Sequence, residues 1–240
     1  MSSKTKGNTE NKEAKVERHS SVSRIIHWSI AVSTLVLIIS GMGQMPLYER
    51  YMVTEIPGLG WMGSYEILLM MHYIGAAVLM VAAFFHVVYH LLRRETGLLP
   101  RKGDFKESYL IIKAMMGKGE EPPQDKYLAE QRLAYAFIAF SFLLIIVSGL
   151  IKTAGNLPWL QLSSTMMVWM TQIHNAAMVL IIIGIVMHLV AFIIKENRPL
   201  LESMFTGKVN EEYARHRHPK WYRRIVPQRK VNRVSDDSSD

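Results

Sequence analysis

Four stretches of this 240-residue chain hold no Asp, Glu, Lys or Arg. They run between Arg24 and Glu49, Glu66 and Arg93, Arg132 and Lys152, and Lys152 and Lys195. An α-helix rises ~1.5 Å per residue, so about twenty apolar residues cross a hydrocarbon core of ~30 Å. A soluble fold would spread its hydrophobic residues, half of this chain, along amphipathic stripes rather than in unbroken blocks. The longest run breaks at Asn156-Leu157-Pro158 and resumes as a helix from about Ser164. These patterns predict an all-α membrane protein, a four-transmembrane-helix bundle with helices near 25–46, 66–92, 133–151 and 165–194.

The basic residues predict the orientation. Six Lys or Arg precede the first span, nine lie from Arg93 to Arg132, and eleven follow from Lys195, whereas the other two loops carry only Arg50 and Lys152. Positive charge stays on the cytoplasmic side, so both termini and the 93–132 loop are expected there. The net charge of +8 is then a topology signal, and nucleic acid is not an expected partner. Residues 1–20 are polar and expected to be a disordered cytoplasmic N-terminus. Ser20, Ser21 and Ser23 offer N-caps for the first helix. Residues 21–195 form the membrane domain, and 196–240 a basic cytoplasmic tail whose Arg and aromatic residues are expected along anionic headgroups. The first span follows a long polar leader with no Ala-x-Ala site behind it, so it is expected to be a retained helix. Trp61, Trp159 and Trp169 in the outer loops suit the membrane interface. A surface helix is expected around Phe105–Met116.

Two spans carry histidines at one repeated interval, His72 and His86, then His174 and His188. Fourteen residues make nearly four turns, so each pair shares a helix face with ~21 Å of rise between its members. Imidazole is costly in hydrocarbon without a partner. Repeating it at matched depths argues for two stacked metal sites, such as two b-type hemes held between antiparallel helices by bis-histidine ligation. His72 and His174 fall at one depth, near the outer side. For the inner site His188 has two rival partners: depth favours His86, while His27 opens the first helix on the same side. His90 shares the His72 face, and His19, His216 and His218 lie in basic aqueous segments. Gly75 and Gly184 lie one turn from His72 and His188, where a missing side chain admits either a flat macrocycle or a close helix. The chain has no cysteine, which excludes iron–sulfur and c-type heme attachment by its own residues.

Arg24-Ile25-Ile26-His27-Trp28, His72-Tyr73-Ile74-Gly75, the His174/His188 interval and the tail from Gly207-Lys208-Val209 through His218-Pro219-Lys220-Trp221-Tyr222-Arg223 carry a resemblance. Over roughly residues 18–225 the chain resembles the gamma, or cytochrome b, subunit of membrane-bound respiratory formate dehydrogenases. The resemblance implies two heme b groups, with His72 and His174 on the outer iron and His27, rather than His86, with His188 on the inner one. It implies an iron–sulfur subunit and a molybdenum or tungsten catalytic subunit as partners, in a bacterial inner membrane. Electrons would pass from a periplasmic iron–sulfur subunit to menaquinone or ubiquinone, with no formate-oxidising site and no catalytic residue in this chain. The quinone pocket it implies lies beside the inner heme, with His86, Tyr127 and Glu130 as candidates. Leu128 and Glu130 stand where members of the family carry Asn and Gly. Glu130 is either a proton source for the quinone or an interfacial ion-pair partner. The competing readings are the cytochrome b of a nickel–iron hydrogenase or another quinone-coupled reductase, and a non-heme transporter or membrane anchor.

Overall fold

Four helices are long and apolar enough to cross a membrane in the computed structural model, which describes residues 14–227. In chain order, strand β1 (Lys15–Glu17) leads into α1 (Ser21–Gln44), the short α2 (Leu47–Arg50) and α3 (Tyr65–Leu92). The amphipathic α4 (Asp104–Met115) follows, then α5 (Ala129–Ala154), α6 (Ser164–Val190), α7 (Arg198–Thr206), strand β2 (Lys208–Asn210) and α8 (Glu211–Arg217). The spans are α1, α3, α5 and α6. Large apolar side chains such as Val32, Val81, Phe84, Leu143 and Val186 point outward, as a lipid-facing surface requires.

Helix starts are set by caps. Ser20, Ser64 and Ser163 accept hydrogen bonds from the backbone N–H groups of Ser23, Ile67 and Met166 at 3.1, 3.4 and 3.2 Å, each worth about 1 kcal/mol. The Ser20 cap starts α1 four residues before the expected boundary. α5 likewise starts at Ala129 rather than near residue 133, because the charge taken as its boundary is neutralised. Arg132, 3% exposed, donates to both carboxylate oxygens of Asp104 at 2.9 and 2.6 Å and to Glu107 at 3.2 Å. Leu128, Ala129 and Ile111 bury this junction between α4 and α5. Lys152 sits inside the last turn of α5. α6 ends at Val190, and residues 191–197 turn through two short 3-10 segments.

The helices pack as two antiparallel pairs, α1 with α3 and α5 with α6. Close backbone approach is concentrated within each pair, and the two pairs meet mainly through side chains.

At the end carrying the basic segments, the flanking residues form a folded cap. The expectation of disorder over residues 1–20 is corrected for the part described. β1 pairs antiparallel with β2, Val16 opposite Val209, and the chain's only departure from helix among the described elements is this ribbon. Residues 1–13 lie outside the described residues. Val16, Val209, Ala214 and Trp221 make a small core with Tyr213, Tyr222 and Ile225. The tail aromatics are therefore turned inward rather than spread along headgroups, because the ribbon gives them a surface to pack on. Arg18, 3% exposed, lies 5.3 Å over Trp221 and 5.8 Å over Tyr127. Gly207 has φ +79°, and its carbonyl accepts from the N–H groups of Arg18 and His19 at 2.8 and 3.1 Å. A Cβ there would stand 2.8 Å from the His19 carbonyl oxygen, so only glycine closes this turn.

His218 is fully buried in the cap, its Nδ1 2.7 Å from the Asp125 carbonyl. Burial, reinforced by Arg18, pushes its imidazole down to about 3. Unfolded, it would take a proton near ~6.5. The unfolded chain thus binds a proton that the folded cap refuses, and the cap loses stability as pH falls from about 6.5 towards 3. Limited proteolysis of the tail should accelerate over that window, and His218→Phe should flatten the response. Cleavage rates independent of pH would contradict this account.

Candidate heme-binding site

The histidine interval brings two imidazole pairs together across the gap between the helix pairs. His72 of α3 faces His174 of α6 with ring centroids 6.2 Å apart. His27 of α1 faces His188 of α6 at 6.3 Å. Among the described residues no group of three or more His, Cys, Asp or Glu converges, so each pair offers a metal only two donors. Such a site suits a metal whose remaining positions are filled by a ligand it brings with it. Two metal–imidazole bonds of about 2 Å and two ring radii of about 1.1 Å would put the centroids of two imidazoles on opposite sides of one metal about 6.2 Å apart. Both separations match that span.

The outer pair is oriented by a device that sequence reasoning missed. Ser40 Oγ donates to the Val36 carbonyl at 2.7 Å and lies 3.0 Å from His72 Nδ1. Ser148 Oγ donates to the Leu144 carbonyl at 2.7 Å and lies 3.1 Å from His174 Nδ1. Each hydroxyl has one proton, already committed to the helix. Each imidazole must therefore donate from Nδ1, leaving the Nε2 lone pair for a metal. The next residues are Gly41 and Gly149, where a Cβ would stand 3.4 Å from Cε1 of His72 and 3.1 Å from Cε1 of His174. A Ser-Gly step on each neighbouring helix thus seats each ring. The two steps were legible as a repeat: Ser33, Ser40 and Gly41 recur as Ser141, Ser148 and Gly149 at identical spacing. Gly149→Ala should disturb the outer site selectively, since His174 must shift by a few tenths of an ångström. Heme retention on warming should drop below that of the unaltered protein. Unchanged retention would sink the Ser-Gly account.

Gly75 and Gly184 play the plainer of their two expected parts. A Cβ at Gly75 would stand 3.2 Å from Leu37, and one at Gly184 3.1 Å from Ile138, which is close helix packing.

His86 does not meet His188. Its Nε2 lies 3.0 Å from the Tyr135 hydroxyl on α5, and its ring contacts His90 at 4.6 Å between centroids. Depth had favoured His86 because Lys195 was taken as the edge of the last span. With α6 ending at Val190, His188 lies close to the helix end, at the level of His27 in the second turn of α1. Tyr127 is half-buried in the cap, between Arg18 and Lys126, whose Nζ lies 5.4 Å from its ring centre. Burial raises the Tyr127 phenol to about 12, so it stays a hydrogen-bond donor at any ordinary pH. Glu130, in the first turn of α5, has a buried Oε2 without a partner, and Arg217 and Glu121 are its charged neighbours. His86 and Tyr127 thus look towards one region, near Glu95 and Lys126, while Glu130 looks towards another.

A family model described as prokaryotic cytochrome b561 matches residues 18–207. The chain belongs to the prokaryotic cytochrome b561 family. Membership implies a b-type heme, which the paired imidazoles suit. The chain is also similar to the cytochrome b556(Fdn) subunit of the nitrate-inducible formate dehydrogenase of Escherichia coli K12, at 24% identity over 225 residues, 89% of this chain and 93% of that protein. It is similar to the formate dehydrogenase cytochrome b556 subunit of Haemophilus influenzae, at 22% identity over 222 residues, 89% of this chain and 85% of that one. For a cytochrome b561 the match begins just after β1, spans all four membrane helices and ends at the Gly207 turn, so the cap joins the family region at its base.

Proposed function

We propose that this chain is the diheme cytochrome b subunit of a membrane-bound formate dehydrogenase in the bacterial inner membrane. It carries electrons from a periplasmic iron–sulfur subunit, itself served by a molybdenum or tungsten catalytic subunit, to menaquinone or ubiquinone. Two stacked imidazole pairs, 6.2 and 6.3 Å between centroids, are the observation that carries this reading. The resemblance to formate dehydrogenase cytochromes chooses among the partners of such a protein. His72 and His174 hold the outer heme, and His27 and His188 the inner one. Bound heme b supplies a one-electron iron couple at each level.

The residues' own work is binding, orientation and exclusion of water. Ser40 and Ser148 hold His72 and His174 in the tautomer that presents Nε2. Imidazole on both sides leaves no open position for oxygen. Both termini lie in the cytoplasm, by the distribution of basic residues. The quinone is bound at that side, against His86 and Tyr127, and Glu130, which faces Arg217 and Glu121 instead, stands outside that pocket. The domain limits follow: 21–195 crosses the membrane, and the described part of the tail, 196–227, completes the cap.

The test is purification of the intact complex. A reduced b-type α band, two hemes per copy of this chain, and their reduction on adding formate are expected. Absence of the band removes the cytochrome assignment. A band reduced by hydrogen but not by formate keeps the cytochrome and changes its partner.

A further inference from the structure

Four polar side chains form a line from the aqueous edge of the basic end into the bundle. Glu95, 39% exposed, lies just beyond α3. Its Oε2 is 3.3 Å from His90 Nδ1, close enough to pair although not aligned as a hydrogen bond. His90 contacts His86 ring to ring, 4.6 Å between centroids at 61°. His86 Nε2 is 3.0 Å from the Tyr135 hydroxyl. None of these groups belongs to the two imidazole pairs, and polar side chains at this depth carry a cost that packing alone does not explain.

The repeat between the helix pairs sharpens the point. His27 precedes Ser40 by the same thirteen residues that separate Tyr135 from Ser148. His86 precedes His90 as the second histidine of α3, just as His188 is the second of α6. The His86–Tyr135 contact is therefore the counterpart of the His27–His188 pair on the other side of the bundle. Tyrosine in place of the second imidazole replaces a metal-binding pair with a hydrogen-bonded pair that can exchange a proton. The line of groups running out to a carboxylate gives that exchange a direction.

We propose that Glu95, His90, His86 and Tyr135 are a proton relay serving quinone reduction, a proposal that rests on the quinone site assigned above. Glu95 takes a proton from cytoplasmic water and passes it to His90 Nδ1. His90 passes a proton to His86 after ring rotation, and His86 Nε2 passes one to the Tyr135 oxygen as the phenol releases its own to the reduced quinone oxygen. Each group returns to its starting state. Two passages accompany the two electrons taken up per quinone, so charge and protons balance. Lys126 and Glu95 are the charged groups facing His90, Arg93 lies 3.8 Å from Glu95, and His86 faces His90 and Tyr135.

The experiment compares wild type, Glu95→Gln and His90→Ala in the intact complex. Formate-driven heme reduction, reduction of a water-soluble menaquinone analogue, and stopped-flow proton uptake with a pH indicator are measured from pH 6 to 9. Heme reduction should be unchanged in both variants. Quinone reduction and proton uptake should slow together by about tenfold or more, most strongly at high pH, where protons are scarce. Added imidazole should restore His90→Ala. Wild-type rates and pH profile in both variants overturn the relay and leave the quinone reading intact. Slowing that imidazole does not relieve, with an unshifted pH profile, also overturns it, because it marks a structural effect. A wild-type complex that reduces its hemes but never the quinone overturns the quinone reading, and the relay with it.

Discussion

On the proposed pairing, replacing His174 by alanine should remove the outer heme and leave the inner one, so that heme per chain falls to about half. The same holds for His72→Ala. Each is one of only two protein donors to its iron, and no third His, Cys, Asp or Glu converges among the described residues to take over. Loss of one donor also strands the other imidazole, still oriented by Ser40 or Ser148, opposite a small apolar side chain. The protein should nonetheless assemble, since α1 with α3 and α5 with α6 pack along their own lengths. The measurement is the pyridine hemochrome content of purified protein, with the redox titration reduced from two components to one. Two retained hemes in either variant would remove this pairing.

His27→Ala should cost the inner heme, again about half of the total, whereas His86→Ala should retain both. The difference follows from the two contacts made at this level: His27 faces His188 at 6.3 Å between centroids, and His86 is bonded to Tyr135. His86→Ala should instead slow quinone reduction, because it strands the Tyr135 hydroxyl. The same heme assay reads both variants. Loss of heme in His86→Ala alone would return the inner iron to the partner that depth favoured.

The sequence made the spans plain through its charge-free runs, but charges were poor guides to helix ends. Arg132 lies inside α5 because Asp104 and Glu107 compensate it, and Lys195 lies well beyond the end of α6. Errors of a few residues there were enough to misjudge which histidine stands level with His188. The Ser-Gly steps went unnoticed because serine and glycine are ordinary residues of membrane helices. Their part becomes visible only when His72 and His174 are seen resting on them. Polarity alone marked residues 15–20 and the tail as unstructured or headgroup-bound. Val16, Val209 and Trp221 are too few in either segment to announce a core, and become one only when the two ends meet.

Hydrophobic length and the histidine interval determined the class of this protein by themselves, because a bilayer permits few backbone solutions and an imidazole in hydrocarbon demands a partner. The choice of partner was made by tertiary structure. Helix ends and the packing of the two helix pairs bring His27 to His188, leave His86 to Tyr135, and fold the described segments flanking the membrane domain into one cap. These are distances between segments remote in sequence, and no local pattern encodes them.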